Sequence, residues 1–138
     1  MAKEVKWKDG IWLLDSGTFP FPIVLAKGRT KEQMWKFLVK HVGIDAKKLK
    51  TDPSWLEEDI GKESQKWRGR TFDFANGAIL VWLYPGAGIE TLVHELTHAV
   101  LIVLDRVGIQ ASSEVSESEI MAYQMEYTMR QAFKRLYP

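Results

Sequence analysis

Residues 92–103 read Leu-Val-His-Glu-Leu-Thr-His-Ala-Val-Leu-Ile-Val, and His94, Glu95 and His98 are the only ionisable groups in that run. A spacing of four places two imidazoles one turn apart on one helix face, so both can offer a nitrogen to a single ion. Glu95 is rotated by about 100° around the same helix. From there it reaches the open side of the ion, where a carboxylate can take a proton from an activated water and deliver it to a leaving group. Burying three ionisable groups among Leu, Val and Ile costs several kcal/mol unless something pairs with them, and a divalent cation offsets that cost. The competing reading is a pair of histidines satisfied by ordinary hydrogen bonds.

A zinc site of this type needs a third protein ligand. A third histidine six residues beyond His98 is excluded, because Leu101 and Leu104 stand where that pattern needs Gly and His. Asp105 lies seven residues beyond His98, about 10 Å along the axis, too far to share the ion. His41 is the one other histidine and reads as a solvent-facing helix end. Acids near or on the last helix remain: Glu114, Glu117, Glu119 and Glu126. Glu119, Tyr123 and Glu126 share one helical face, beside the small Ala122, which would let two helices approach closely. Glu119 and Glu126 are about 10 Å apart, so one ion takes only one of them.

The elements that must position these groups follow from periodicity and punctuation. Gly10–Leu14 and Phe21–Ala26 are short apolar stretches, and Pro20 and Pro22 demote them to edge strands. Thr30 with Gln33 forms a capping box for a helix that carries Met34, Trp35, Phe37, Leu38 and Val42, runs to about His41 and stops at Gly43. The polar segment 44–70 holds a short helix after Asp52-Pro53, pinned by Trp55 and Trp67. Asn76-Gly77 joins strands Arg70–Ala75 and Ala78–Leu83 as a hairpin. Ile89–Val107 is a helix apolar nearly all round, as expected of one buried in the middle of its domain. After a polar loop, Glu117–Leu136 forms the last helix, capped by Ser116 or Ser118.

Composition narrows the function classes. The 138 residues make one domain, with 46% apolar and 27% charged residues, enough to build a core. No cysteine is present, which excludes disulfide scaffolds, thiolate zinc sites and cysteine nucleophiles. The net charge of +1 argues against an electrostatic nucleic-acid or membrane partner, and Lys47-Lys48-x-Lys50 is too short a basic run to change that. No apolar run reaches the roughly 20 residues of a membrane span, and the N-terminus lacks a signal-peptide core, so a cytoplasmic location is expected. Residues 1–70 carry 15 basic and 10 acidic groups against 4 and 8 in residues 71–138, so the acidic half is the better host for a cation. The six tryptophans are scattered through different elements and read as packing residues.

His94-Glu95-Leu96-Thr97-His98, a loop of about twenty residues and Glu119-Ile120-Met121-Ala122-Tyr123 together resemble the gluzincin arrangement. The Glu-x-x-Ala-Tyr form is similar to minimal gluzincin-like zinc proteins of phage and prophage genomes, and more loosely to ImmA/IrrE-type peptidases. The resemblance spans roughly residues 70–127. It implies an α+β, zincin-like fold, a small antiparallel or mixed sheet packed on the HExxH helix and a C-terminal ligand helix. It further implies that His94, His98 and Glu119 hold Zn²⁺, that Glu95 is the general base, and that Ala78–Leu83 borders the cleft where an extended peptide pairs. Tyr123 is the candidate for steadying an oxyanion, against a bland role in packing; Glu126 is a candidate partner for a ligating histidine, against a solvated charge. The expectation is a single domain, with residues 1–69 forming N-terminal strands and a helix and residues 70–138 the site. Its function would be that of a zinc metallopeptidase acting on a peptide or protein. The alternatives are a zinc-bound but non-catalytic phage or prophage protein serving a phage or host partner, and a metal-dependent hydrolase of a non-peptide amide.

Overall fold

The computed structural model describes residues 5–8, 10–15, 23–47, 68–74, 78–109 and 115–137. The short helix expected after Pro53, Trp55, Trp67 and the Asn76-Gly77 turn lie outside the described residues. Five strands, β1 (Val5–Lys8), β2 (Ile11–Leu14), β3 (Ile23–Lys27), β4 (Gly69–Asp73) and β5 (Ile79–Leu83), form one sheet in the order β1-β2-β3-β5-β4. It is mixed: β3 and β5 are parallel, and the other three pairings are antiparallel. With helices α1 (Lys31–Phe37), α2 (Ile89–Arg106) and α3 (Val115–Leu136), the chain is an α+β protein.

Strand periodicity sorts the core into two layers. Val24, Ala26, Leu80, Trp82 and Tyr84 face one side of the sheet, where Met34, Phe37 and Leu38 close over them. Ile23, Leu25, Ile79, Val81 and Leu83 face the other, against Leu92, Leu96, Ala99 and Val103 of α2 and Ala132 of α3. Both faces of β3 and β5 are therefore covered, and their continuous apolar runs fit that position. Each fully buried Leu or Val there contributes about 1.5–3 kcal/mol relative to exposure. Trp82 is fully buried, and its indole nitrogen donates to the Arg29 carbonyl at 3.1 Å.

Several expectations are corrected. The stretch around Ile23 is no edge strand: β3 pairs with both β2 and β5, and it begins after Pro22, so no proline interrupts its ladder. Val5–Lys8, too short and too charged to stand out as an apolar stretch, is a strand paired to β2. The α-helical stretch of the first helix ends at Phe37 and widens into a π turn over Leu38–Val42, closed by Gly43 at φ 80°. Thr30 and Gln33 do form the reciprocal capping box. The last helix starts at Val115, so Ser116 and Ser118 lie within its first turns. At the entry to α2, Tyr84-Pro85-Gly86-Ala87 makes a turn with the Ala87 N–H donating to the Tyr84 carbonyl at 3.1 Å and Gly86 at φ 84°. A positive φ at the residue after proline is what a type II turn requires, and glycine supplies it without strain.

Candidate metal centre

The helix α2 is not apolar on every side. Leu92, Leu96, Ala99, Val100, Val103 and Leu104 are buried, whereas Val93, His94, His98 and Asp105 are exposed. The sheet and α3 take its apolar stripe, and the histidine face stays open. The desolvation argument for a cation thus applies to Glu95, 6% exposed, and not to the two histidines.

The geometry of the three groups is compact. His94 Nε2 and His98 Nε2 are 3.2 Å apart, their rings meeting edge-on with centroids 4.8 Å apart. Two nitrogens each about 2.0–2.1 Å from a tetrahedral ion such as zinc lie about 3.3 Å apart, close to the separation of this pair. Glu95 Oε1 is 4.0 Å from His94 Nε2, and the ligand atoms of all three residues fall within 4.8 Å of one another. Among the described residues this is the one such group of three or more metal-ligating side chains.

Strand β4 lies alongside. Thr71 Oγ1 donates to Glu95 Oε2 at 3.2 Å and to the Glu95 backbone carbonyl at 3.0 Å. Gly69 gives the glutamate room: a Cβ there would stand 3.2 Å from Glu95 Cγ and 3.1 Å from Thr91 Cγ2. The strand beside the site is therefore β4, not Ala78–Leu83 as expected. β5 pairs with β3 on one side and β4 on the other, so its backbone has no free edge for a peptide. Further along α2, Arg106 pairs with Asp73 of β4 and donates to the Phe74 carbonyl at 3.4 Å. Together with His98, Leu101, Ile102, Asp105 and Ile109 they line a cleft of about 360 Å³. Sequence reading missed Gly69, Thr71 and the Asp73–Arg106 pair. Nothing in a single chain links a strand threonine to a glutamate 24 residues away.

The candidates on α3 are placed differently. Glu119, Ala122, Tyr123 and Glu126 are all exposed, so Ala122 is not the point of close helix contact that its size suggested. Glu119 is not among the residues clustered at His94. Tyr123 is 67% exposed and is no packing residue. Glu126 takes a hydrogen bond from Arg130 at 2.7 Å, a solvated i,i+4 pair. The inward face of α3 carries buried Gln124, Thr128, Gln131 and Ala132 instead. His41 is exposed on its π turn, its ring 5.2 Å from that of Phe37.

No protein-family profile, curated protein or solved structure matches this chain. Among the described residues, no helix is long and apolar enough to cross a membrane.

Proposed function

We propose that the chain is a zinc-dependent metallopeptidase of gluzincin type on a zincin-like fold. The carrying observation is the pair of Nε2 atoms 3.2 Å apart with a buried carboxylate beside them. His94 and His98 hold the ion, and Glu119 of α3 is the proposed third ligand. Zinc, when bound, supplies Lewis-acid polarisation of a peptide carbonyl and acidifies water. Glu95 is the general base: its Oε1, on the His94 side, takes a proton from the attacking water and passes it to the departing amine. The hydroxyl of Tyr123 is the proposed donor to the carbonyl oxygen. The substrate is a peptide or protein met in the cytoplasm, which is the host cytoplasm if a phage encodes the chain.

A second reading keeps the zinc and drops the catalysis, leaving a phage or prophage interaction protein. It is supported by the exposed Ile120, Tyr123 and Tyr127, which follow one another at helical spacing along α3. One paired experiment separates the two: zinc content and hydrolysis of a mixed peptide library, for the wild type and Glu95→Gln. Both proteins retaining zinc while only the wild type cuts is the expected result. Zinc in both and cutting by neither favours the interaction protein, and zinc in neither removes both readings.

A further inference from the structure

Glu95 sits one residue from His94 and in the same small cluster as both imidazoles, and a carboxylate is itself a good zinc ligand. A base at this position must be held back from the ion it serves. We infer that Thr71 is the positioning residue that does this, keeping Glu95 a base rather than a ligand; the inference rests on the proposed zinc site.

The argument is geometric. Gly69 and Thr71 are two apart on β4, so they present to the same side of the strand. Gly69 clears a space for the glutamate stem, where a Cβ would press on Glu95 Cγ at 3.2 Å. Thr71 then anchors the far end, its hydroxyl proton shared between Oε2 at 3.2 Å and the Glu95 carbonyl at 3.0 Å. With Oε2 drawn toward β4, Oε1 stays 4.0 Å from His94 Nε2. An oxygen sharing a tetrahedral ion with that nitrogen would come to about 3.3 Å. The anchored carboxylate is set back from ligand distance while remaining beside the ligands.

The test is zinc affinity, read by competition with a chromophoric chelator, with no substrate needed. Thr71→Val keeps the branched shape and the strand preference while removing the hydroxyl; Thr71→Ser keeps the hydroxyl. Freed in Thr71→Val, the carboxylate joins the ion, and affinity rises about tenfold, the scale on which groups behind metal ligands act. Thr71→Ser binds as the wild type does. Glu95→Gln also binds as the wild type does, and Thr71→Val adds nothing in that background. A merely structural threonine would give the opposite sign, weaker binding in Thr71→Val. Unchanged or weaker binding there, or equal tightening with and without Glu95, overturns the inference while leaving the zinc site standing. A wild type that binds no zinc overturns both, and that outcome is visible before any variant is made.

Discussion

Helices α2 and α3 carry the two halves of the same proposed site, yet the fold treats them in opposite ways. On α2 three potential metal-ligating groups converge, two exposed imidazoles and one buried carboxylate: residues four apart stack the two histidines on one face, and Glu95, offset by about 100°, sits beside them against β4. On α3 the residues singled out for chemistry face solvent, and the buried polar ones serve the fold. Gln131 is the clearest case: its amide accepts from the Asp15 N–H and donates to the Asp15 carbonyl, both at 2.7 Å. Tyr127 adds a hydrogen bond to Asp15 Oδ2 at 2.6 Å. Side chains of α3 thus continue the hydrogen bonding of the backbone where β2 ends, satisfying buried groups that would each cost about 1–3 kcal/mol unpaired. Spacing within one helix fixes a cluster; the facing of one helix toward another depends on which stripe the sheet takes.

The largest expected effect tests α2. Replacing His94 and His98 together by Ala abolishes zinc binding, and with it the stabilisation that zinc gives the folded chain. At a free zinc concentration of 100 Kd that stabilisation is about 2.7 kcal/mol, read as a zinc-dependent rise in Tm that the double variant lacks. Because both rings are exposed, the zinc-free Tm of the double variant stays close to that of the wild type. A zinc-dependent rise that survives would place the ion elsewhere.

A smaller effect tests α3. Glu119→Ala is expected to weaken zinc binding by at least the roughly 10–100-fold that loss of a mere partner to a ligand costs, while Glu126→Ala, which only releases Arg130, leaves it unchanged. Chelator competition on the two purified variants measures the contrast. Equal affinities would mean that the third ligand comes from another part of the chain, and that the exposed position of Glu119 is its working one.

The sequence is legible where a feature is local and illegible where it depends on distant pairing. The His94–His98 spacing, the Thr30–Gln33 box, the extent of α2 and the pairing of β4 with β5 all rest on local periodicity or local hydrogen bonding, which the chain carries within a few residues. The place of β3 in the middle of the sheet rests on parallel pairing with β5, whose partners lie 56 residues away, as Ile23 and Ile79 do. The same holds at the site. The offset of Glu95 beside the histidines follows from its place in the helix, but its hydrogen bond from Thr71 and the clearance at Gly69 exist only once β4 lies beside α2. The near-continuous apolar pattern of α2 misled for a related reason: hydrophobicity counts residues, whereas burial depends on which side the sheet and α3 occupy.

Tyr123 gives the smallest expected change and the sharpest reading of α3. With 67% of its surface exposed, Tyr123→Phe removes one oxygen from solvent and should alter unfolding free energy by no more than about 0.5 kcal/mol, measured by urea denaturation. Stability being untouched, any change in hydrolysis reports chemistry alone. A donor that steadies a developing oxyanion is worth about 100–1,000-fold in turnover, and its loss appears in kcat with little change in KM. A fall of that size would show that the outward face of α3 closes over bound substrate. Unchanged turnover in a protein that still cuts would assign the exposed ring to contact with a partner, and leave the oxyanion to donors on the α2 and β4 side of the cleft.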